Sequence, residues 1–419
     1  MKKRVVIYGI NYAPEIAGVG RYTGEIGAYL ASQGHDVCAI TAPPHYPGWR
    51  LQQNSRVLSW RAEELDGVRV YRCPLYLTAK MHGLRRLLAP LSFALSSAPV
   101  AFAQILKRRP DVVIVVEPTL FVAPVAVLAA RLVGARTILH VQDLEVEAAF
   151  AMGHLRADGP LKRLASWFDR KATAAFDQVV TISNRMAEKI VRKGVDPSKL
   201  TIVRNWVDVE AVRPMPTAMG YRQELGIPTD KFVALYSGNI GAKQGVRVVL
   251  EAARELADRS DILVVIAGQG PMRAEVAAQA AILPNLQVLD FQPESRFSEF
   301  LSIADAHLLP QEKDAADLLL PSKLGGMLAS GRPVIVTADA QTELAEFLGD
   351  TCVFSPPGDA QALARSLESL QRGHPVVHQE PRRIQLAQAL AKSTLIRAFT
   401  EAVLPPSPTN RTTSALAAA

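Results

Sequence analysis

Short apolar runs alternate with longer stretches of helical periodicity along most of the chain. Val5-Val-Ile-Tyr-Gly9 is the first such run. A loop over 11–20 follows, residues 21–33 carry a helical pattern, Gly34 stops it, and 35–41 reads as the next strand. Strand, helix and strand of these lengths form a βαβ unit and predict a parallel sheet. Further strands are expected at 68–71, 111–116, 136–140 and 178–182. Arg213-Pro-Met-Pro216 then breaks the pattern, which places a linker near 205–222. The second half repeats the scheme, with strands expected at 232–236, 262–267, 286–291, 306–309, 333–336 and 352–354.

The fold class this predicts is α/β, as two doubly wound, Rossmann-like domains of similar size facing a central cleft. The expected domains are 1–210 and 222–378. A helix over 379–404 is expected to pack back on the first domain, and the Pro/Ser/Thr/Ala-rich tail 405–419 reads as disordered.

One segment departs from the soluble pattern. Residues 87–106 carry no charge, with Arg85-Arg86 before them and Lys107-Arg108-Arg109 after. Length alone would permit a membrane span. Pro90, Pro99, the serines and Gln104 oppose a span, as does the segment's place inside a βα repeat. A helix lying in a membrane interface with basic flanks fits better, and an ordinary buried helix stays open.

Composition narrows the partners. The 419 residues carry a formal net charge of +7, which favours an anionic partner. Aromatics are 6% and do not interleave with basic residues, which argues against nucleic acid. Cys38, Cys73 and Cys352 are scattered without metal-ligand spacing and suit a reducing cytosol. Met1-Lys-Lys-Arg4 resembles the start of a signal peptide, but the apolar run behind it ends by Asn11 and is too short. A cytoplasmic protein is expected.

Three stretches could carry chemistry. Ser237-Gly-Asn-Ile-Gly-Ala-Lys-Gln-Gly245 joins a strand to a helix whose Val246, Val249, Leu250, Ala253 and Leu256 share one face. Glycines there let backbone N–H groups approach an anion, and Lys243 adds a mobile charge. A second glycine pair, Gly18 and Gly20, follows the first strand without completing a dinucleotide fingerprint. Arg21 and Glu25 would lie near that helix start. His140-Val-Gln-Asp143, with Glu145 and Glu147, stands at a strand's carboxyl end. A histidine there could hydrogen-bond a sugar or phosphate near neutral pH, and the acids could do acid–base work. Finally, Ser322 reads as the N-cap of a helix to Ser330, with Lys323 beside a second anion-binding helix end. A plain turn, a structural histidine and a simple cap remain the alternatives. The sequence holds no His-Glu-x-x-His or Asp-x-Asp, so no metal or cofactor is expected. A departing diphosphate would then be met by Lys, Arg and backbone dipoles.

Ordered motifs in both halves carry a family resemblance. They are Tyr12-Ala-Pro-Glu-Ile-Ala-Gly-Val-Gly20, Gly34-His-Asp-Val37, His140-Val-Gln-Asp143, Asn205-Trp-Val-Asp208, the 236–245 loop, Ala267-Gly-Gln-Gly270, Ala304-Asp305 and Pro321-Ser-Lys323. To about residue 402 the chain resembles the GT-B glycosyltransferases of family 4. Within them it is similar to bacterial exopolysaccharide enzymes of the colanic acid type.

The resemblance implies metal-independent, retaining transfer of a sugar from a nucleotide diphosphate sugar held chiefly by the second domain. It gives catalytic roles to His140 and Lys243. It gives donor contacts to Gly18, Gly20, Gly238, Asn239, Gln244, Ser322 and Lys323. Glu15, Arg21, Asp143 and Glu145 become acceptor or acid–base candidates. The implied acceptor is a polyprenyl-diphosphate-linked saccharide at the anionic inner leaflet, which suits Arg85, Arg86, Lys107, Arg108 and Arg109. A GDP-sugar, GDP-fucose first, comes slightly ahead of UDP-sugars.

Two departures stand against the family pattern. Asn239 and Gln244 occupy loop positions that are commonly basic, leaving Lys243 displaced by one. Of the usual Glu-x7-Glu pair, Leu318 takes the first position, beside Asp317, and Gly326 the second. Ribose recognition is therefore in question. A nucleotide-sugar epimerase or hydrolase, or a non-catalytic nucleotide-sugar-binding scaffold, stays open.

Overall fold

Strands buried on both faces should read as unbroken apolar runs, and the computed structural model places them so. It describes residues 1–16, 18–46, 59–77, 85–144, 159–312 and 320–404, without the side chains at 85–87, 160, 161 and 243. Two compact units emerge, Met1–Arg204 together with the chain from Ile396, and Asn205–Leu395.

The first unit holds an 8-stranded sheet in the order β3-β4-β2-β1-β5-β6-β7-β8. Its strands are β1 (Arg4–Tyr8), β2 (Asp36–Thr41), β3 (Arg61–Leu65), β4 (Val68–Arg72), β5 (Val112–Glu117), β6 (Arg136–Val141), β7 (Gln178–Thr181) and β8 (Leu200–Ile202). All pairings are parallel except β3 with β4. Helix α1 spans Gly18–Ser32, α2 Arg85–Arg108 and α3 Ala123–Val133.

The second unit holds a 6-stranded sheet, order β11-β10-β9-β12-β13-β14. These strands are β9 (Phe232–Ser237), β10 (Ile262–Ala267), β11 (Leu286–Leu289), β12 (Ala306–Leu309), β13 (Val334–Thr337) and β14 (Val353–Ser355), and all pair in parallel. In each sheet the order reverses beside one central strand, β1 in the first and β9 in the second. Ligand sites of open α/β sheets form at the carboxyl ends of such strands.

Four sequence expectations are corrected. First, α1 begins at Gly18, so Gly18-Val-Gly20 forms its first turn rather than a preceding loop. Second, β3 was not foreseen; it is a polar strand turned onto β4 through Asp66-Gly67, both at positive φ (49° and 75°), the pattern of a tight hairpin turn. Third, the helix expected over 379–404 is two helices, Glu380–Ala389 and Lys392–Val403. The break arises because the backbone at Leu390–Lys392 pairs with Val207, whose N–H donates to the Leu390 carbonyl and whose carbonyl accepts from the Lys392 N–H. Fourth, the cap expected at Ser322 is not formed. The tail 405–419 lies outside the described residues.

Helix α2 is long and apolar enough to cross a membrane, yet one face belongs to the core. Ala89, Phe93, Ser97, Ala101 and Ile105 recur at every fourth position and are wholly buried. The Ser97 hydroxyl lies 2.7 Å from the Tyr8 hydroxyl of β1.

Candidate active site

In the second unit the glycine loop after β9 is clamped by backbone. The Gly238 N–H donates to the Ala267 carbonyl at 3.0 Å and the Ile240 N–H to that of Gln269 at 2.8 Å. Gly268 and Gly270 make this approach possible: a Cβ on either would overlap the Gly238 or Ile240 carbonyl. Gly245 is held likewise, since a Cβ there would stand 3.0 Å from the Gln311 nitrogen and its φ is +65°. A Cβ at Gly241 would crowd the Gln244 amide, at 2.6 Å. Gly238 differs. Its φ is +133°, and among the described residues a Cβ built there would meet the Lys323 Cδ, at 3.6 Å.

Lys323 stands against this loop. Its Nζ is buried with no hydrogen-bond partner among the described residues and sits 3.9 Å from the centroid of the Tyr236 ring. A cation over an aromatic face gains part of what it loses in hydration, but burial still pushes the ammonium down to about 7. The Tyr236 hydroxyl donates to the Asn239 carbonyl, which ties the ring beneath Lys323 to the loop. The expected helix start is corrected here. The helix spans only Leu324–Ala329, Lys323 itself takes the N-cap position with no side-chain cap bond, and Ser322 is exposed. No capped helix end forms at Ser322. Lys243 lies in the turn Ala242–Gln244, and its side chain is outside the described residues.

Gly326, at the family's second glutamate position, faces apolar neighbours: a Cβ there would meet Leu301 Cδ1 at 3.3 Å and Phe297 Cε1 at 3.5 Å. Gly325 lets the Val207 side chain approach, with a would-be Cβ distance of 2.9 Å. Leu318 and Asp317 lie outside the described residues.

In the first unit, Gly18 and Gly20 face side chains of the protein itself. A Cβ on Gly20 would overlap the Glu15 carboxylate, and one on Gly18 would stand 2.9 Å from the Tyr46 ring. Glu15 is buried and both its oxygens are engaged. Oε1 accepts from the backbone N–H groups of His45 and Tyr46, each at 3.1 Å, and Oε2 from Asn11 Nδ2 at 2.9 Å. This carboxylate anchors the 45–46 loop, which argues against the acid–base role expected for it. Arg21 is paired with Glu25 at 3.0 Å.

Tyr46, which the sequence did not single out, is the hub of this region. Burial, with Glu15 and Asp143 acting on it electrostatically, raises its phenol above the usual range. Asp143 thus acts on the Tyr46 phenol, whereas Glu145 and Glu147 lie outside the described residues.

His140 is the penultimate residue of β6, at 1% exposure, its ring centroid 4.7 Å from that of Phe399. Its Nε2 lies 3.0 Å from Gln142 Nε2. With that amide donating, the ring proton resides on Nδ1, which is buried without a partner. Burial pushes the imidazole down to about 3, so it is neutral throughout the physiological range. A neutral His140 can act as a fixed hydrogen-bonding group rather than as a proton carrier.

The basic flanks of α2 are unequal. Arg108 is bound to Asp36 at 3.2 Å, whereas Lys107 and Arg109 are exposed. The side chains of Arg85 and Arg86 are outside the described residues. Among the described residues no three His, Cys, Asp or Glu side chains gather as a metal site would require.

Residues 17–206 match the model of the glycosyl transferase 4-like domain, and residues 220–384 that of the glycosyl transferases group 1. A protein of Escherichia coli (strain K12) described as "Putative colanic acid biosynthesis glycosyl transferase WcaI" is 39% identical over 397 residues, covering 94% of this chain and 96% of its own. Among solved structures, the sucrose-phosphate synthase of Thermosynechococcus elongatus aligns with a TM-score of 0.73 at 15% identity, over 96% of this chain and 98% of its own. Anabaena Alr3699/HepE, solved with UDP and glucose, aligns with a TM-score of 0.68 at 14% identity, over 96% and 99%. These structural likenesses concern the fold, which is GT-B: two Rossmann-like α/β domains.

Proposed function

The chain belongs to the glycosyltransferases with a 4-like and a group 1 domain, and from that premise we propose a retaining transferase of exopolysaccharide assembly. It moves a sugar from a nucleotide diphosphate sugar, GDP-fucose first among the candidates, to a polyprenyl-diphosphate-linked saccharide. The name of the Escherichia coli relative supports a colanic acid-like product. The reaction takes place at the cytoplasmic face of the inner membrane, where a lipid-linked acceptor resides, and needs no metal.

The observation that carries this reading is Lys323. An unpaired, buried ammonium facing a glycine of open φ is costly to maintain unless an anion completes it. In the reaction the bond from the sugar's anomeric carbon to the donor's diphosphate oxygen breaks. A bond from that carbon to an acceptor hydroxyl forms, and the hydroxyl proton passes to the departing diphosphate. Lys323 and Lys243 offset the charge that develops on the leaving group. The Gly238, Asn239 and Gln244 loop supplies neutral hydrogen bonds. In the first unit, the Nδ1–H of His140 is offered to a sugar hydroxyl.

The test is a panel of GDP- and UDP-sugars against a polyprenyl-diphosphate monosaccharide, reading nucleotide release and product mass together. Product carrying the transferred sugar supports the transferase. Nucleotide release without acceptor selects a hydrolase instead. Donor binding without turnover selects a scaffold, the reading that Gly326 in place of a ribose-binding glutamate would favour.

A further inference from the structure

Helix α2 has a second regular face. Opposite the buried stripe, Leu88, Leu91, Leu95, Pro99 and Ala103 follow one another at three- or four-residue steps, and all are exposed, Leu95 to 70%. The stripe ends at exposed Lys107. At 24 residues the helix is about 36 Å long. The serines of its flank have their hydroxyls engaged. Ser92, Ser96 and Ser97 all donate to carbonyls of the protein, those of Ala89, Pro74 and Phe93. Trp60, 58% exposed, lies along the helix with its indole N–H donating to the Ser96 carbonyl.

Helix α3 packs beside α2 and repeats the pattern, with Leu128 and Leu132 exposed. Neither helix contains an acidic residue; every charge on them is Lys or Arg. Arg109 follows α2 directly, and Arg131 lies in the last turn of α3.

We propose that the outward face of α2 and α3 is a membrane-docking surface on which α2 lies in the plane of an anionic bilayer. Its leucines enter the acyl boundary, while Trp60 and the Lys107, Arg109 and Arg131 side chains stand at the headgroups. The chemistry selects this occupant. An apolar stripe with a purely basic border complements anionic lipid, and an exposed tryptophan with a satisfied indole suits the interface. A second copy of the same face would bring like charges together. The core contacts of Phe93 and Ser97 keep the helix on the surface rather than through it. The inference deepens, and rests on, the reading of a membrane-borne acceptor.

Flotation of the full chain with phosphatidylglycerol-containing vesicles and with phosphatidylcholine vesicles tests it, beside a Leu91→Glu/Leu95→Glu variant. Wild type should float with the anionic vesicles and release in high salt. The double variant should bind at least about tenfold less, since two leucines no longer enter the apolar layer. Its melting temperature and nucleoside diphosphate binding should match wild type, because both positions are exposed. Diphosphate binding is read separately, so failure of the transferase reading would show there and not in flotation. Equal flotation on both vesicle types, or a double variant that floats like wild type, overturns the proposal. A lipid-free dimer that the double variant dissociates would also overturn it, by assigning the face to a second copy.

Discussion

The Lys323 ammonium rests 3.9 Å from the ring centroid of Tyr236 with no hydrogen-bond acceptor. A lysine held this way destabilises the empty protein and prepares it for an anion. Replacing it with Met, of similar length and uncharged, should therefore do two opposite things. Lys323→Met should raise the melting temperature by several degrees, because a buried charge without a partner is removed. The same variant should lose nucleoside diphosphate affinity by about tenfold to a hundredfold, the scale of a lost charge-assisted contact. Thermal melts and titration calorimetry on one preparation check both. Loss of affinity with lowered stability would make Lys323 a structural residue.

The pH dependence of donor binding follows from the same residue. Its folded value near 7 lies below the ordinary 10.5, so above neutrality the empty site is increasingly uncharged. A bound diphosphate favours the protonated form and raises that value, so binding takes up a proton. Affinity should be greatest below pH 7 and fall by up to about tenfold per pH unit above it. Calorimetry in two buffers of different ionisation enthalpy should report the uptake. The stability effect has the opposite sense. Between pH 7 and 10.5 the unfolded chain binds the extra proton, so this lysine makes the empty protein more stable as pH rises through that window. Binding that is flat from pH 6 to 9 would remove Lys323 from the diphosphate site.

His140 gives the complementary pH result. Its imidazole is neutral down to about 3, so its protonation should contribute no limb to the pH–rate profile between pH 5 and 8. His140→Gln should lower kcat by about tenfold to a hundredfold, the cost of a displaced orienting hydrogen bond, and leave the profile's shape unchanged. A limb near 6.5 that disappears in the variant would make His140 a proton carrier after all.

The Gly20–Glu15 contact predicts a suppressor. Gly20→Ala places a methyl group on the Glu15 carboxylate and should cost about 1–3 kcal/mol, as overpacking does. Glu15→Ala alone leaves the His45 and Tyr46 N–H groups without their acceptor. In the double variant the carboxylate overlap is gone and only the contact with the residue 15 Cβ, at 2.7 Å, remains, so the two penalties should combine to less than their sum. Urea melts of the four proteins measure the coupling. Strict additivity would mean that the glycine is kept for a ligand rather than for Glu15.

What could be read in the chain follows from how local each cause is. The parallel strands were legible because burial on both faces makes a strand apolar at every position, as in β5 and β10. β3 was not, because Arg61, Glu63 and Glu64 give an edge strand no apolar run; the Asp66-Gly67 turn was its only local sign. The glycine loop after β9 was legible as the link from a strand to a helix. That Gly268 and Gly270 serve the Gly238–Ile240 backbone was not, since the contact joins turns after different strands. Tyr46 carries no motif and gains its place only when the Glu15 loop closes on α1.

That clamp gives a test of the donor site that leaves every proposed ligand-binding side chain in place. Gly268 has φ +144°, and a Cβ there would overlap the Gly238 carbonyl. Gly268→Ala must therefore move one loop away from the other and break the bond from the Gly238 N–H to the Ala267 carbonyl. The displaced Gly238 no longer faces Lys323, so nucleoside diphosphate affinity should fall by at least about tenfold, as a misplaced cradle requires. Gly373→Ala serves as the control. It has a similarly positive φ of +91° and open space around it, so it carries backbone strain of about 1–2 kcal/mol without touching the loop. If both variants lose stability alike and only Gly268→Ala loses affinity, loop geometry governs binding. If Gly268→Ala binds the diphosphate as wild type does, the anion is held by some other part of the second unit.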